Sequence, residues 1–90
     1  MQDSARLLEV LGRMIDLLRA HNLGDWADSL SDIGARVEAH EEVRGHIRRL
    51  YGGGMGSFND IVFSCTDRAR MIADNDEFAA LHSELYEFGQ

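Results

Sequence analysis

The chain has 90 residues, of which 44% are hydrophobic, 28% are charged and none is proline. This length and balance predict a single globular domain over residues 1–90 and exclude two domains with separate cores. Nine basic and sixteen acidic residues give a formal net charge of −7 at pH 7, so the protein's field repels nucleic acid and anionic membrane surfaces.

Cysteine content and hydropathy indicate the cellular compartment of the protein. Cys65 is the only cysteine, so the sequence predicts neither an internal disulfide nor a four-cysteine zinc site, and we interpret Cys65 as a small apolar filler. The first ten residues lack the basic region and apolar run of a signal peptide, and no apolar run approaches the roughly 20 residues of a membrane span. We therefore expect a cytoplasmic protein with no membrane partner.

Apolar residues at helical spacing predict an amphipathic helix over residues 4–21, ending near His21 to Gly24, where Asn22 and Gly24 both tolerate a positive φ. Asp25 is predicted to cap the next helix. The apolar positions that follow step by three or four residues across most of the segment: Trp26, Leu30, Ile33, Val37, Val43, Ile47 and Leu50. Residues 25–50 therefore form either one bent helix or two.

Four glycines within residues 52–56 break this pattern, because so much backbone freedom opposes a helix. Ser57 can cap a new helix, but the β-branched and aromatic run at residues 61–63 is also typical of an extended segment, so both states stay open for residues 57–65. Asp74-Asn75-Asp76-Glu77 resembles a capping arrangement and predicts a terminal helix over about residues 75–88. The predicted fold class is all-α, a small bundle of four or five helices with a glycine-rich loop at residues 52–56.

The segment YGGGMGSFNDIVF at residues 51–63 is similar to the Gly-Gly-Met-Gly-Ser-Phe-Asn-Asp signature of a family of small, uncharacterised bacterial proteins. Asp25-Trp26-Ala27 with Leu30 resembles that family's early tryptophan helix. The family's last helix starts with Asn-Asp-Glu and ends with Leu-Tyr-Glu, and Asn75-Asp76-Glu77 and Leu85-Tyr86-Glu87 are similar to these two elements. This chain has three glycines before Met55 where the family pattern has two. The resemblance implies a bacterial cytoplasmic origin, an α-rich fold and a domain of unknown function. It assigns no catalytic residue to this chain.

The glycine loop is a candidate ligand site, because a glycine-rich loop before a helix start can present backbone amides to an anion. Its candidate residues are Gly53, Gly54, Gly56, Ser57, Asn59, Asp60 and the preceding Arg48. The loop lacks both the Lys-Ser/Thr ending and the preceding strand of a nucleotide-binding P-loop. We therefore favour a tight structural turn in which Asn59 and Asp60 serve the loop and the helix start.

Two other polar patterns carry residues that are capable of chemistry. If residues 38–46 form one helix, Glu38, Glu42 and His46 share a stripe that could bind a divalent cation, but no second cluster supplies further ligands, and a solvated charged face is the favoured interpretation. His82 lies between Phe78 and Tyr86 at steps of four, which favours a partly buried, hydrogen-bonded histidine over a general base. The sequence thus predicts no metal, cofactor or catalytic residue and leans against an enzyme.

These observations favour a non-enzymatic protein–protein interaction module. Residues 74–90 carry five acids and no base, a pattern that favours a basic protein partner, as for an immunity protein or antitoxin. The small size also favours a homodimer, with Trp26, Met55 and Phe88 as candidate interface residues. The alternative is a small-molecule or anion-binding domain centred on Gly52–Asp60, with catalysis left open.

Overall fold

The structure, a computed structural model, describes residues 4–52 and 58–90. These residues form four α-helices and one 3₁₀ turn: α1 (Ser4–Ala20), α2 (Gly24–Glu38), α3 (Arg44–Tyr51), the 3₁₀ turn (Phe58–Asp60) and α4 (Arg68–Phe88). No strand occurs among them. The predicted small all-α bundle is therefore confirmed.

α1 is the central helix of the bundle. It packs against both α2 and α4, while α3 packs against α4 and the 3₁₀ turn. Six side chains of α1 are buried at helical spacing: Leu7, Val10, Leu11, Met14, Leu17 and Leu18. Because α2 and α4 cover this apolar stripe from two sides, the exposed residues of α1 are mostly charged, together with the small Ala5, Gly12 and Ala20.

The turn between α1 and α2 is built on a left-handed residue. Of the two residues expected to tolerate a positive φ here, Asn22 adopts one, at 62°, whereas Gly24 begins α2. The Leu23 amide donates to the Leu18 carbonyl at 2.8 Å, which closes the helix end as in a Schellman motif. α2 begins at Gly24, and no side chain caps it, so the prediction that Asp25 is its cap is wrong. Asp25 lies in the first turn, where the helix dipole favours a negative charge.

Residues 25–50 form two helices, because the chain turns at His40. His40 has a φ of 62°, and the Glu41 amide donates to the Arg36 carbonyl at 2.9 Å, the same kind of helix end as at Asn22. The break separates α2 from α3. The carboxylate and imidazole stripe predicted for a continuous helix over residues 38–46 therefore does not form.

α4 begins at Arg68 rather than near residue 75, so the predicted helix start is wrong. The N-cap is Asp67, whose side chain accepts a hydrogen bond from the Arg70 amide at 3.1 Å. The polar run Asp74–Glu77 lies inside the helix. This polar run resembles a helix cap, but Asp74, Asn75 and Glu77 bind partners that are distant in the sequence: His21, Phe63 and Arg13.

Residues 61–67, between the 3₁₀ turn and α4, are neither helix nor strand. The side chain of Asn75 on α4 holds this segment: Nδ2 donates to the Phe63 carbonyl at 3.0 Å, and Oδ1 accepts from the Phe63 amide at 2.8 Å. The buried Phe63 ring stacks on His21, with 4.1 Å between centroids. One side chain therefore satisfies the backbone groups that a neighbouring strand would otherwise pair.

Candidate functional site

An aromatic cluster brings together the described residues on either side of residues 53–57; we define it as Tyr51, Phe58, Phe78, His82 and Tyr86. Tyr51 ends α3 and Phe58 begins the 3₁₀ turn, and their rings meet edge to face with centroids 5.2 Å apart. Phe58 is fully buried and stacks on His82 at 4.9 Å. Aromatic pairs of this kind contribute about 0.5–1.5 kcal/mol each beyond the burial of their area, so the cluster holds Tyr51 and Phe58 together.

Two hydrogen bonds reinforce this cluster. Asn59 Nδ2 donates to the Tyr51 carbonyl at 2.8 Å, and the Tyr51 hydroxyl donates to the His82 carbonyl at 2.5 Å. Burial raises the pKa of the Tyr51 phenol, so this hydroxyl keeps its proton at neutral pH. The two bonds connect the 3₁₀ turn and α3 to the middle of α4.

His82 has a buried ring nitrogen that forms no hydrogen bond with any described residue. Its Nε2 has no hydrogen-bond partner within residues 4–52 and 58–90. Burial lowers the pKa of His82, which keeps the imidazole neutral at pH 7. The predicted partial burial is confirmed, whereas the predicted hydrogen bond is missing at Nε2 in this part of the chain.

Two pockets lie on either side of Tyr51 and Tyr86. The first, which we call the tyrosine pocket, has a volume of about 370 Å³ and is lined by Tyr51, Asn59, His82, Ser83, Tyr86 and Glu87. The second has a volume of about 290 Å³ and is lined by Ile47, Arg48, Tyr51, Gly52, Tyr86, Gly89 and Gln90. The charged side chain among these lining residues is Glu87 in the tyrosine pocket and Arg48 in the second pocket.

A wider depression of about 700 Å³ lies where the α2–α3 turn meets the start of α1 and the end of α4. Two of its three carboxylates already have basic partners, because Glu41 is 3.1 Å from Arg36 and Glu42 is 3.7 Å from Arg44. The third, Glu87, also lines the tyrosine pocket. These pairs make the depression a weaker candidate site than the tyrosine pocket.

α4 carries small and apolar residues on the face that points away from α1. This outer face consists of exposed residues at helical spacing: Ala69, Ile72, Ala73, Asp76, Ala79, Ala80, Ser83 and Glu87. Ile72 is 48% exposed, and Val62 in the preceding segment is 74% exposed. Small side chains leave the backbone of the helix open to close packing by another helix. The sequence prediction missed this face, because it placed the helix start after Ala69 and Ala73.

The five acids of residues 74–90 divide between two faces of α4. Three bind partners on or just after α1: Asp74 lies 2.7 Å from His21, Glu77 lies 2.5 Å from Arg13, and Glu84 lies 2.5 Å from Arg6. The remaining two, Asp76 and Glu87, lie on the outer face and form no ion pair within the described residues. Three of the five carboxylates that were predicted to attract a partner therefore form ion pairs within the domain instead.

The predicted loop site is only partly visible in the structure. Four of its residues and one predicted interface residue lie outside the described residues: Gly53, Gly54, Gly56, Ser57 and Met55. Asn59 and Asp60 lie in the 3₁₀ turn. The Arg48 Nε donates to the Gly89 carbonyl at 2.6 Å, and this bond holds the guanidinium at the end of α4.

The other predicted interface residues are partly buried. Trp26 packs against the core with its ring 5.5 Å from that of Phe58, and Phe88 also packs against the core. Cys65 is partly buried, and its Sγ lies 3.3 Å from the Asp67 carbonyl. Trp26 and Phe88 therefore have packing roles in the described part of the chain.

Within residues 4–52 and 58–90, no three His, Cys, Asp or Glu side chains are grouped so that they could hold a metal ion. No helix of this part combines the length and apolar content that crossing a membrane requires.

Comparison with curated proteins and with solved structures finds no match. A family model described as Domain of unknown function (DUF6966) matches residues 19–72. The match runs from the end of α1 to the first turns of α4, so it includes Tyr51 and Phe58 but ends before His82 and Tyr86. Because it covers more than half of the 90 residues, the chain belongs to this family of domains of unknown function.

Proposed function

We propose that the protein is a non-enzymatic interaction module that binds a protein partner through the outer face of α4. The observation that carries this proposal is the pattern of α4 itself: one side is buried against α1, and the other exposes five small residues, Ile72 and two carboxylates without ion-pair partners in the described part. Exposed apolar residues grouped on one face mark interaction sites, whereas scattered ones are ordinary surface.

The shape and charge of this face favour a helical, basic partner. Small side chains allow a partner helix to approach to the shorter end of the usual range of about 8–10 Å between axes, and an amphipathic helix can lay its apolar side along such a surface. Asp76 and Glu87 are three turns apart, which corresponds to about 16 Å along the axis. Basic residues at a similar spacing on the partner would complement them, and the net charge of −7 would speed the encounter.

A second copy of the chain fits the charges of this face less well. Asp76 lies near the middle of the outer face, so two antiparallel copies would bring their Asp76 carboxylates together, and like charges oppose that pairing. The homodimer predicted from the size of the domain stays a prediction. Sedimentation at tens of micromolar tests it, since a monomer there would exclude a stable dimer.

Site-specific photo-crosslinking in cells that naturally produce the protein tests the proposal. A photoreactive amino acid at Ala80, on the outer face, should crosslink one defined protein, whereas the same group at the exposed Ala35 of α2 should not. The purified partner should then bind the Ala80→Arg variant at least about tenfold more weakly than the wild type, and the Ala35→Arg variant equally well. Identical crosslinks from both positions, or unchanged binding by Ala80→Arg, would exclude this surface.

The alternative function is small-molecule or anion binding at Gly52–Asp60. The pocket beside Asn59 supports a ligand in that region, but the bond from Arg48 to the Gly89 carbonyl directs the guanidinium to the chain end. Thermal melts with phosphate and with nucleotides separate the two functions, because a ligand that binds the native state raises the melting temperature. A bacterial cytoplasmic origin and a toxin-neutralising role are consistent with the interaction proposal and remain predictions.

A further inference from the structure

We propose that the tyrosine pocket binds the guanidinium group of an arginine side chain on the partner protein. This inference rests on the proposed function, because the pocket lies at the C-terminal end of the outer face of α4. Ser83 and Glu87 line the pocket and also belong to that face. A helix packed along the outer face could therefore extend one long side chain into the pocket.

The two tyrosine rings supply the surface that a planar cation prefers. Tyr51 and Tyr86 meet with centroids 5.2 Å apart and an angle of 73° between ring planes, so the edge of one ring meets the face of the other. Tyr86 is 47% exposed, which leaves part of its ring accessible. The negative faces of aromatic rings attract cations, and guanidinium does so more often than ammonium because its flat group also stacks.

Glu87 gives the pocket its charge. It forms no ion pair within the described residues, and it is the charged side chain among the described residues that line the pocket. A carboxylate can accept two parallel hydrogen bonds from one guanidinium, which an ammonium group cannot offer in the same plane. The pocket therefore combines a stacking surface with a bidentate acceptor.

The neighbouring groups do not oppose a cation in this pocket. His82 is neutral at pH 7, because burial lowers its pKa, and Arg48 lines the pocket on the other side of the tyrosines, where it is bound to Gly89. The volume of about 370 Å³ lies at the lower end of the range of roughly 300–1,000 Å³ for ligand pockets. This size suits the end of one side chain better than a cofactor.

Titration of the full chain with N-acetyl-arginine amide, followed by NMR, tests the inference without knowledge of the partner. Millimolar probe should shift the ring signals of Tyr51 and Tyr86 in a saturable way. N-acetyl-citrulline amide, which has nearly the same shape without the charge, should bind much more weakly, and N-acetyl-lysine amide should bind less tightly than the arginine probe.

Two exposed carboxylates provide matched variants. Glu87→Gln should weaken binding of the arginine probe by about two- to fivefold, the range expected for one exposed ionic contact. Asp76→Asn removes the same charge from the same face of α4 about three turns away and should leave the affinity unchanged. Tyr86→Leu should abolish the saturable shift at Tyr51 while far-ultraviolet circular dichroism stays helical.

Three results would overturn the inference: equal binding of the citrulline probe, equal or tighter binding of the lysine probe, or equal weakening by Glu87→Gln and Asp76→Asn. The first would indicate a pocket that is not selective for charge, the second a site for ammonium, and the third a general effect of net charge. If the pocket assignment alone is wrong, the crosslink at Ala80 persists. If the proposed interaction surface is wrong, that crosslink disappears whatever the probe does.

Discussion

Replacement of His82 by phenylalanine should stabilise the folded protein at pH 7 by about 1 kcal/mol. The buried Nε2, which has no partner in the described part of the chain, costs about 1–3 kcal/mol as an unsatisfied polar atom. A phenyl ring can keep the stack on Phe58 at 4.9 Å and the edge contact with Tyr51 at 4.6 Å. The phenyl ring is larger than imidazole, so steric crowding in the core should offset about 1 kcal/mol of this stabilisation.

The same substitution should remove a pH dependence. Burial lowers the pKa of His82 in the folded state, so below about pH 6.5 the unfolded chain binds a proton that the folded chain does not yet bind. This difference lowers the stability of the wild type as the pH falls from 6.5 through the folded pKa. The advantage of His82→Phe over the wild type should therefore be larger at pH 5 than at pH 7.

Urea unfolding followed by circular dichroism at both pH values measures these effects, provided that the slope with denaturant is the same for both proteins. His40→Asn is the control, because His40 is exposed and asparagine tolerates its left-handed backbone. That variant should leave the difference between the two pH values unchanged. A His82→Phe protein that is less stable than the wild type at pH 7, or whose advantage does not depend on pH, would refute the reasoning.

Two further predictions concern stability. Gly89→Ala should destabilise the protein by about 1–2 kcal/mol, because the added Cβ would lie 2.9 Å from Cγ2 of the fully buried Ile47. Gly12→Ala, which meets nothing within 4 Å inside α1, should instead stabilise it by about 0.5–1 kcal/mol, and melting shifts of the same sign would contradict this pair. Asn75→Ala should lower the free energy of unfolding by about 2–3 kcal/mol, because two hydrogen bonds are lost. Asp76→Ala, at an exposed position, should change it by less than about 0.5 kcal/mol. Equal effects of the two variants in urea denaturation would contradict the role given to Asn75.

The sequence predicted α1 well and α4 badly, for a physical reason. α1 buries one continuous stripe, so its apolar spacing alone predicts its length, and Asn22 marks its end. α4 has apolar or small residues on both of its faces, so it lacks a clear period. Asp74 and Asn75 resemble a helix start because short polar side chains often cap helices, but their partners lie 53 and 12 residues away in the chain. Local patterns do not contain such contacts.

The candidate site was predictable only in part. Steps of four along one helix placed His82 beside Phe78 and Tyr86, and this was enough to predict its partial burial. The stack of Phe58 on His82 depends on how a separate segment returns to α4, which helical periodicity cannot show. The same holds for Arg48, whose backbone acceptor lies 41 residues further along the chain.

The charge of the C-terminal helix shows why position matters more than number for a binding argument. Arg13 lowers the pKa of Glu77 and Arg6 lowers that of Glu84, so both carboxylates stabilise the fold above about pH 4, and that contribution is lost as the pH falls through their lowered pKa values. A substitution at either position would confuse folding with binding. Asp76 and Glu87 have no such role in the described structure, so their replacement costs the fold little. A change in partner affinity at these two positions can therefore be attributed to the interface itself.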